Sequence, residues 1–245
     1  MPDWLTARPV AHRGLHDAAA GVIENTPSAF RAAIAGNFAI ECDVQITADG
    51  EAMVYHDDAL GRLTEGTAKL AALSAAELKH VPFKATADHM LTLGELCELV
   101  AGRVTLLVEI KSRFDGDLRL AARTAKVLAG YKGPIAAMSF DPEPMIAAKD
   151  LAPGLARGLV AQRRNRAART DHDTAGAHGL SYVRHLLAAR LQFLAYRVND
   201  LPSAAPLFAR NVLRLPLLTW TVRTPADQAR AARWADQIIF EGIRP

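Results

Sequence analysis

The sequence predicts an α/β protein, a TIM (β/α)8 barrel with a small insertion after the second strand. Three observations point there. The chain has 245 residues, close to the roughly 250 that one such barrel takes. From Thr92 onward, short apolar runs alternate with helical patterns, as in a parallel sheet covered by helices. Several of the apolar runs also end in polar or charged groups, and in a parallel barrel such strand ends meet at one face. One domain over 1–245 is expected, with 47–90 as an insertion subdomain over the barrel mouth.

Each element has its own signal. Arg8–His12 reads as a short first strand. Thr26 or Asn25 is placed to cap a helix whose first turn holds Pro27 and which runs to Ala35 before Gly36. Ala39–Ile46 is the second strand, on which Glu41, Asp43 and Gln45 share a face. Asp49-Gly50 signals a hairpin. Ala52–His56 must then run back antiparallel, because a parallel crossover needs roughly a dozen residues. That return places His56 near the level of Asp43 without making its strand a barrel stave. Within 57–90 the Ser-Ala-Ala-Glu opening of Ser74–Lys79 is a capping box.

Regular alternation follows. Helices are expected over Thr92–Ala101, Asp117–Ala129, from Pro142, around Gly179–Arg190, over Pro202–Leu213 and over Pro225–Ala235. The remaining staves are Thr105–Lys111, Ile135–Phe140, Ala156–Ala161, Phe193–Val198, Leu217–Val222 and Gln237–Glu241. The run TLLVEIK over 105–111 is apolar almost throughout, as a strand covered on both faces should be, and Glu109 and Lys111 share a face.

Composition narrows the function classes. Half the residues are apolar, enough for a large core. No uninterrupted run of 18 apolar residues occurs, so no membrane-spanning helix is expected. The first residues show no basic-then-apolar leader pattern. Cys42 in a strand and Cys97 in an apolar helix read as core residues rather than a disulfide, which favours a cytoplasmic location. The net charge is +3, with Arg163, Arg164, Arg166 and Arg169 clustered in one loop. That cluster reads as a solvated loop or as an attractor of anions. No nucleic-acid-binding motif is present.

Five short motifs stand in order: His12-Arg13-Gly14, Glu24-Asn25-Thr26, Glu41-Cys42-Asp43, His56-Asp57 and Glu109-Ile110-Lys111. Together they resemble the glycerophosphodiester phosphodiesterase family, densely over 8–111 and more loosely beyond. Ser139-Phe140 and Trp220-Thr221-Val222 fit the later pattern. Two departures stand out. Phe240-Glu241 occupies a place where the family usually has Thr-Asp, and Arg223 follows Trp-Thr-Val where Asn or Asp is usual.

The chemistry of these residue types agrees with the resemblance. A phosphodiester needs its oxygens neutralised, a hydroxyl deprotonated and a leaving oxygen protonated. Two histidines can carry the proton transfers. An arginine fork and a lysine point charge can hold phosphate oxygens. Three carboxylates suit a hard cation. The resemblance accordingly implies His12 as general base and His56 as general acid. Arg13 and Lys111 would bind phosphate, and Phe140 and Trp220 would line a pocket for the glycerol moiety. Glu41, Asp43 and Glu109 would bind one divalent cation, Mg²⁺ or Ca²⁺.

The implied reaction is hydrolysis of a small glycerophosphodiester to sn-glycerol 3-phosphate and an alcohol. Direct water attack and a cyclic phosphate route both stay open, as do the alcohol half of the substrate and the oligomeric state. Neither nucleic acid nor stable membrane insertion is expected. Two other readings compete: a lysophospholipase D-type enzyme with 57–90 as a lipid-facing lid, and a catalytically silent barrel binding anions through Arg163–Arg169.

Overall fold

The computed structural model describes residues 3–163 and 188–245. In chain order its strands are β1 (Val10–Ala11), β2 (Ala39–Ile46), β3 (Ala52–Val54), β4 (Leu106–Ile110), β5 (Ile135–Ser139), β6 (Ala156–Ala161), β7 (Phe193–Arg197), β8 (Leu217–Val222) and β9 (Gln237–Phe240). All but β3 pair in parallel. β1 closes the ring by pairing with both β2 and β9. β3 folds back antiparallel on β2, with Val44 opposite Val54. The eight expected staves are therefore present and the hairpin return lies outside the ring.

The described residues hold seven α-helices: α1 (Pro27–Ala35), α2 (Ala75–Lys79), α3 (Leu93–Val100), α4 (Arg119–Leu128), α5 (Pro142–Leu151), α6 (Ala204–Asn211) and α7 (Pro225–Trp234), of which α2 belongs to segment 47–90. The helix expected around Gly179–Arg190 and the run 164–169 lie mostly or wholly outside the described residues.

Strand parity sorts the core. Val10, Ala39, Leu107, Ala136, Met138, Ala156, Val160, Phe193, Ala195, Leu218 and Ile239 form one buried cluster, the barrel interior. The opposite faces pack with the helices in a second, larger cluster. Around β3 a third cluster, including Met53, Tyr55, Leu70, Leu78 and Phe83, gives segment 47–90 an apolar centre of its own. The turn Asp3–Leu5 closes the end where the strands begin. There Leu5 is buried, and the Trp4 and Thr6 carbonyls accept from Thr105 and Gln237.

Several local details differ from the sequence expectation. β1 is shorter than Arg8–His12, because Pro9 has no N–H for the ladder and Arg13 turns out of the strand with φ 57°. Thr26 holds the N-cap position of α1, but neither its side chain nor that of Asn25 caps the helix. The Thr26 hydroxyl donates to the Ile23 carbonyl at 2.7 Å and the Asn25 amide donates to Asp43. The helix start is instead satisfied from a distance, with Asp88 accepting from the Ser28 N–H at 3.2 Å. The capping box at Ser74/Glu77 forms as expected, and a further one forms at Thr92/Glu95.

Two glycines are required by close approach. A Cβ on Gly14, which has φ +81°, would stand 2.9 Å from the Ala29 backbone, so the turn after β1 can rest directly on α1. A Cβ on Gly158 would stand 2.3 Å from the Phe193 ring, which fills the barrel at this level. Both flanking elements are strands, so the clash has no easy relief. Gly158→Ala should therefore lower stability by about 1–3 kcal/mol, measurable as a reduced midpoint in urea unfolding. An unchanged midpoint would mean that the Phe193 ring is not held where the structure places it.

Candidate active site

On each stave, the inward parity that builds the barrel interior continues into the mouth at the strand's C-terminal end. It carries His12 after β1, Glu41 and Asp43 on β2, Glu109 on β4 and Lys111 just after it, Phe140 after β5, Gln162 after β6, Arg197 on β7, Trp220 on β8 and Glu241 after β9. His12, Arg13, Glu41, His56, Glu109, Lys111, Phe140 and Trp220 line one cleft of about 400 Å³, within the size range of small-molecule sites. Asp43 lies just beneath, 1 % exposed.

Glu41, Asp43 and Glu109 come from two adjacent strands in which Asp43 is the register partner of Glu109. One oxygen from each lies within 4.8 Å of the others, and all three residues are buried. Such a set is costly unless charges answer it. Lys111 Nζ reaches Asp43 Oδ1 at 2.7 Å and also pairs with Glu109. Arg13 Nε lies 3.3 Å from Asp43 Oδ2, although without hydrogen-bond alignment. Asn25 Nδ2 donates to Asp43 Oδ2 at 2.9 Å.

The consequence is an uneven distribution of charge. Burial works against ionised Asp43, but Lys111 and Arg13 outweigh it and hold its carboxyl far below the usual range. Burial opposes the charge on Lys111 too, and the Asp43 and Glu109 carboxylates override it. Glu41 is left over. Its Oε2 accepts from the Arg13 N–H at 2.9 Å, while Oε1 is buried with no hydrogen-bond partner. Burial, then the Asp43 and Glu109 charges, push its carboxyl well above the usual value. Three hard oxygen donors with one unanswered oxygen fit a hard divalent cation.

The two histidines are oriented alike. His56 Nδ1 is 2.7 Å from Asp57 Oδ1, and Asp57 Oδ2 accepts from Arg62 Nε at 2.6 Å. Arg62 also binds Glu24, which accepts from Arg13 at 2.7 Å. His56, Asp57, Arg62, Glu24, Arg13 and Asp43 thus form one chain of contacts. His12 Nδ1 is 2.7 Å from Glu241 Oε2, which also accepts from Arg223 at 2.8 Å. Each ring is left with Nε2 for other work. His12 Nε2 stands 4.0 Å from Glu41 Oε2. Burial lowers the His12 pKa, against the opposing pull of Glu241.

Every site residue expected from the motifs lines this cleft except Asp43, which lies just beneath it. Sequence reasoning gave no role to Glu24, Asp57, Arg62, Gln162 or Arg197. Strand parity counted from Val160 and Phe193 would have found Gln162 and Arg197. Nothing local marks Arg62, since it sits in an irregular loop. Arg223 and Glu241, the two departures from the usual motifs, bind each other. His172, His178 and His185 lie outside the described residues.

The family model for the glycerophosphoryl diester phosphodiesterase family matches residues 12–243. The chain belongs to that family. A curated glycerophosphodiester phosphodiesterase from Caldanaerobacter subterraneus subsp. tengcongensis is 31 % identical over 163 residues, covering 62 % of this chain and 66 % of the relative. Among solved structures, an Oleispira antarctica phosphodiesterase in complex with the product sn-glycerol-3-phosphate superposes with TM-score 0.78 at 20 % identity, over 95 % of this chain and 91 % of the other. A glycerophosphodiester phosphodiesterase from Thermotoga maritima gives 0.72 at 23 % identity, over 95 % and 94 %. At those identities the two structures establish the shared barrel fold.

The carboxylate of Glu241 yields a pH prediction. Burial opposes its ionisation, but the contacts from His12 and Arg223 prevail and hold it at about 2 against an ordinary 4.5. A folded-state value below the unfolded one adds stability above pH 4.5 that disappears as pH falls toward 2. Thermal midpoints of the wild type and Glu241→Gln should differ most above pH 4.5 and converge toward pH 2. A gap of constant size across that window would show that the carboxylate charge is not what the two contacts recognise.

Proposed function

We propose that the protein hydrolyses glycerophosphodiesters to sn-glycerol 3-phosphate and an alcohol, by acid–base catalysis between His12 and His56 beside a carboxylate-held divalent cation. The observation that carries this reading is the buried carboxylate trio with one unanswered oxygen, in the same cleft as two histidines each tied through Nδ1 to its own carboxylate. The matched family and the product named for the Oleispira antarctica structure support the substrate class.

Glu41, Asp43 and Glu109 would hold Mg²⁺ or Ca²⁺. When bound, the cation supplies positive charge to the phosphate oxygens and lowers the pKa of a hydroxyl it holds. Arg13 and Lys111, charged throughout the neutral range, grip the non-bridging oxygens from the protein side. Glu241 accepts the Nδ1 proton of His12 and so leaves the Nε2 lone pair of the neutral ring to take a proton from the attacking hydroxyl. Asp57 does the same for His56 and stabilises its imidazolium, from which Nε2 protonates the leaving alcohol. Phe140 and Trp220 meet edge to face with ring centroids 5.4 Å apart, an apolar wall for the carbon atoms of the glycerol moiety. Water or the glycerol 2-hydroxyl can serve as the attacking group, and trapping a cyclic glycerophosphate would exclude a purely direct route.

The free thiols Cys42 and Cys97 suit a reducing compartment, and we place the enzyme in the cytoplasm, in the turnover of deacylated lipid headgroups. No helix among the described residues is long and apolar enough to cross a membrane.

The deciding assay is release of sn-glycerol 3-phosphate from glycerophosphocholine with EDTA and with Mg²⁺ or Ca²⁺ restored. Release should require the cation and fall by roughly 10²–10⁴-fold in His12→Ala. Full activity in EDTA, or in the variant, would overturn the assignment. In a second assay, His56→Ala should lose far more rate on the choline ester than on a nitrophenyl ester, whose leaving group needs no proton. Equal losses on both would remove His56 from the acid role.

A further inference from the structure

The catalytic apparatus occupies one side of the cleft, and the opposite side is built for something else. Beyond Phe140 and Trp220 the lining is Gln162, Arg163, Arg197, Asn199 and Arg223. Arg197 is the central residue. Phe193 and Ala195 on the same strand face the barrel interior, so the alternation of β7 turns Arg197 into the mouth. It is the register partner of Trp220 and is exposed to solvent. Among the described residues it has no ion pair or side-chain hydrogen bond.

The carboxylates at hand are already committed. Glu241 serves His12 and Arg223, and Glu109 serves Lys111. Asp200 accepts from the main-chain N–H of Arg163 at 2.9 Å, which leaves the Arg163 guanidinium without a carboxylate within ion-pair distance among the described residues. Among the described residues, three guanidiniums therefore line this side, with one carboxylate, Glu241, paired to Arg223, while Asp200 binds the Arg163 main chain from outside the lining. A cleft lined with one sign of charge concentrates counter-charge, and a guanidinium fork fits the oxygens of a phosphate or carboxylate. A neutral glycerol end would need only the amides of Gln162 and Asn199.

We propose that this mouth is a second anion site: the substrate arm lying over Phe140 and Trp220 ends in a further phosphate or carboxylate, held by Arg197 with Arg163. This inference rests on the phosphodiesterase reading and adds to it a preference for glycerophosphodiesters that carry an extra anionic group on that arm, over those with a plain glycerol end. Arg197 and Arg163 are specificity residues in this scheme and take no part in proton transfer.

Calorimetric titration of the cation-loaded protein tests it without turnover. The ligands are sn-glycerol 3-phosphate, glycerol 1,3-bisphosphate and 3-phosphoglycerate, the last two distinguishing a second phosphate from a carboxylate. At least one of the doubly anionic ligands should bind about tenfold or more tightly than glycerol 3-phosphate. Arg197→Gln and Arg163→Gln should remove most of that advantage while leaving glycerol 3-phosphate within about twofold. Arg31→Gln, an exposed arginine on α1 outside the cleft, should leave the advantage intact. No advantage in the wild type would overturn the second anion site alone, as would equal weakening of all three ligands by the cleft variants, the mark of general steering. Failure of every ligand to bind would overturn the phosphodiesterase reading, and this inference with it.

Discussion

The structure depends on the burial of three carboxylates on the inward face of two neighbouring strands. Glu41, Asp43 and Glu109 sit where a barrel would ordinarily place branched aliphatic residues, and neither water nor distance screens them from one another. Each nearby group can be understood as an answer to that charge. Lys111 and Arg13 neutralise Asp43 and Glu109. Asn25 donates to Asp43 from the loop before α1. Gly14 lets that loop lie against the helix so that the Arg13 N–H can reach Glu41. Removing one partner of such a network costs more than its pairwise attraction, because an uncompensated charge is left inside.

Around this centre the site divides into two chemically different halves. On one side stand the carboxylates and the two histidines, each histidine tied through Nδ1 to a carboxylate. The outer layer of that side, Asp57–Arg62–Glu24, joins segment 47–90 to the α1 loop by ion pairs. That link explains how an antiparallel hairpin outside the ring can hold a histidine in register with barrel residues. On the other side stand the aromatic pair Phe140 and Trp220 and the arginines of the later strands. The mouth is thus a composite of strand ends, consistent with a fold in which the barrel supplies rigidity and the C-terminal rim supplies chemistry.

The two departures from the family's usual motifs illustrate how paired changes stay compatible. An arginine after the Trp-Thr-Val strand would place a new positive charge beside His12, and burial already disfavours the charged imidazole there. Glu241 accepts from both Arg223 and His12. A carboxylate one methylene longer than aspartate, paired with a guanidinium across the rim, therefore retains an acceptor for the histidine Nδ1 proton. Neither residue would be easily interpreted alone.

The sequence by itself determined the number and order of the staves, the fold-back of β3, the shared faces of Glu41 with Asp43 and of Glu109 with Lys111, and the capping box at Ser74. These follow from local periodicity and short-range hydrogen bonding, which the chain carries within a few residues of each site. The motifs located His12, Arg13, Glu41, Asp43, His56, Glu109 and Lys111 for the same reason, since strand parity and the short hairpin bring them to one rim. Tertiary structure alone decided their partners. Glu241 meets His12 across 229 residues of chain, Arg62 meets Glu24 across 38, and Asp88, rather than Asn25 or Thr26, completes the start of α1 across 60. Which ring nitrogen is occupied, which carboxylate is left unanswered and which guanidinium stays unpaired are differences between competing ion pairs of similar local propensity. Only the closed barrel, by fixing distances among residues remote in sequence, chooses between them.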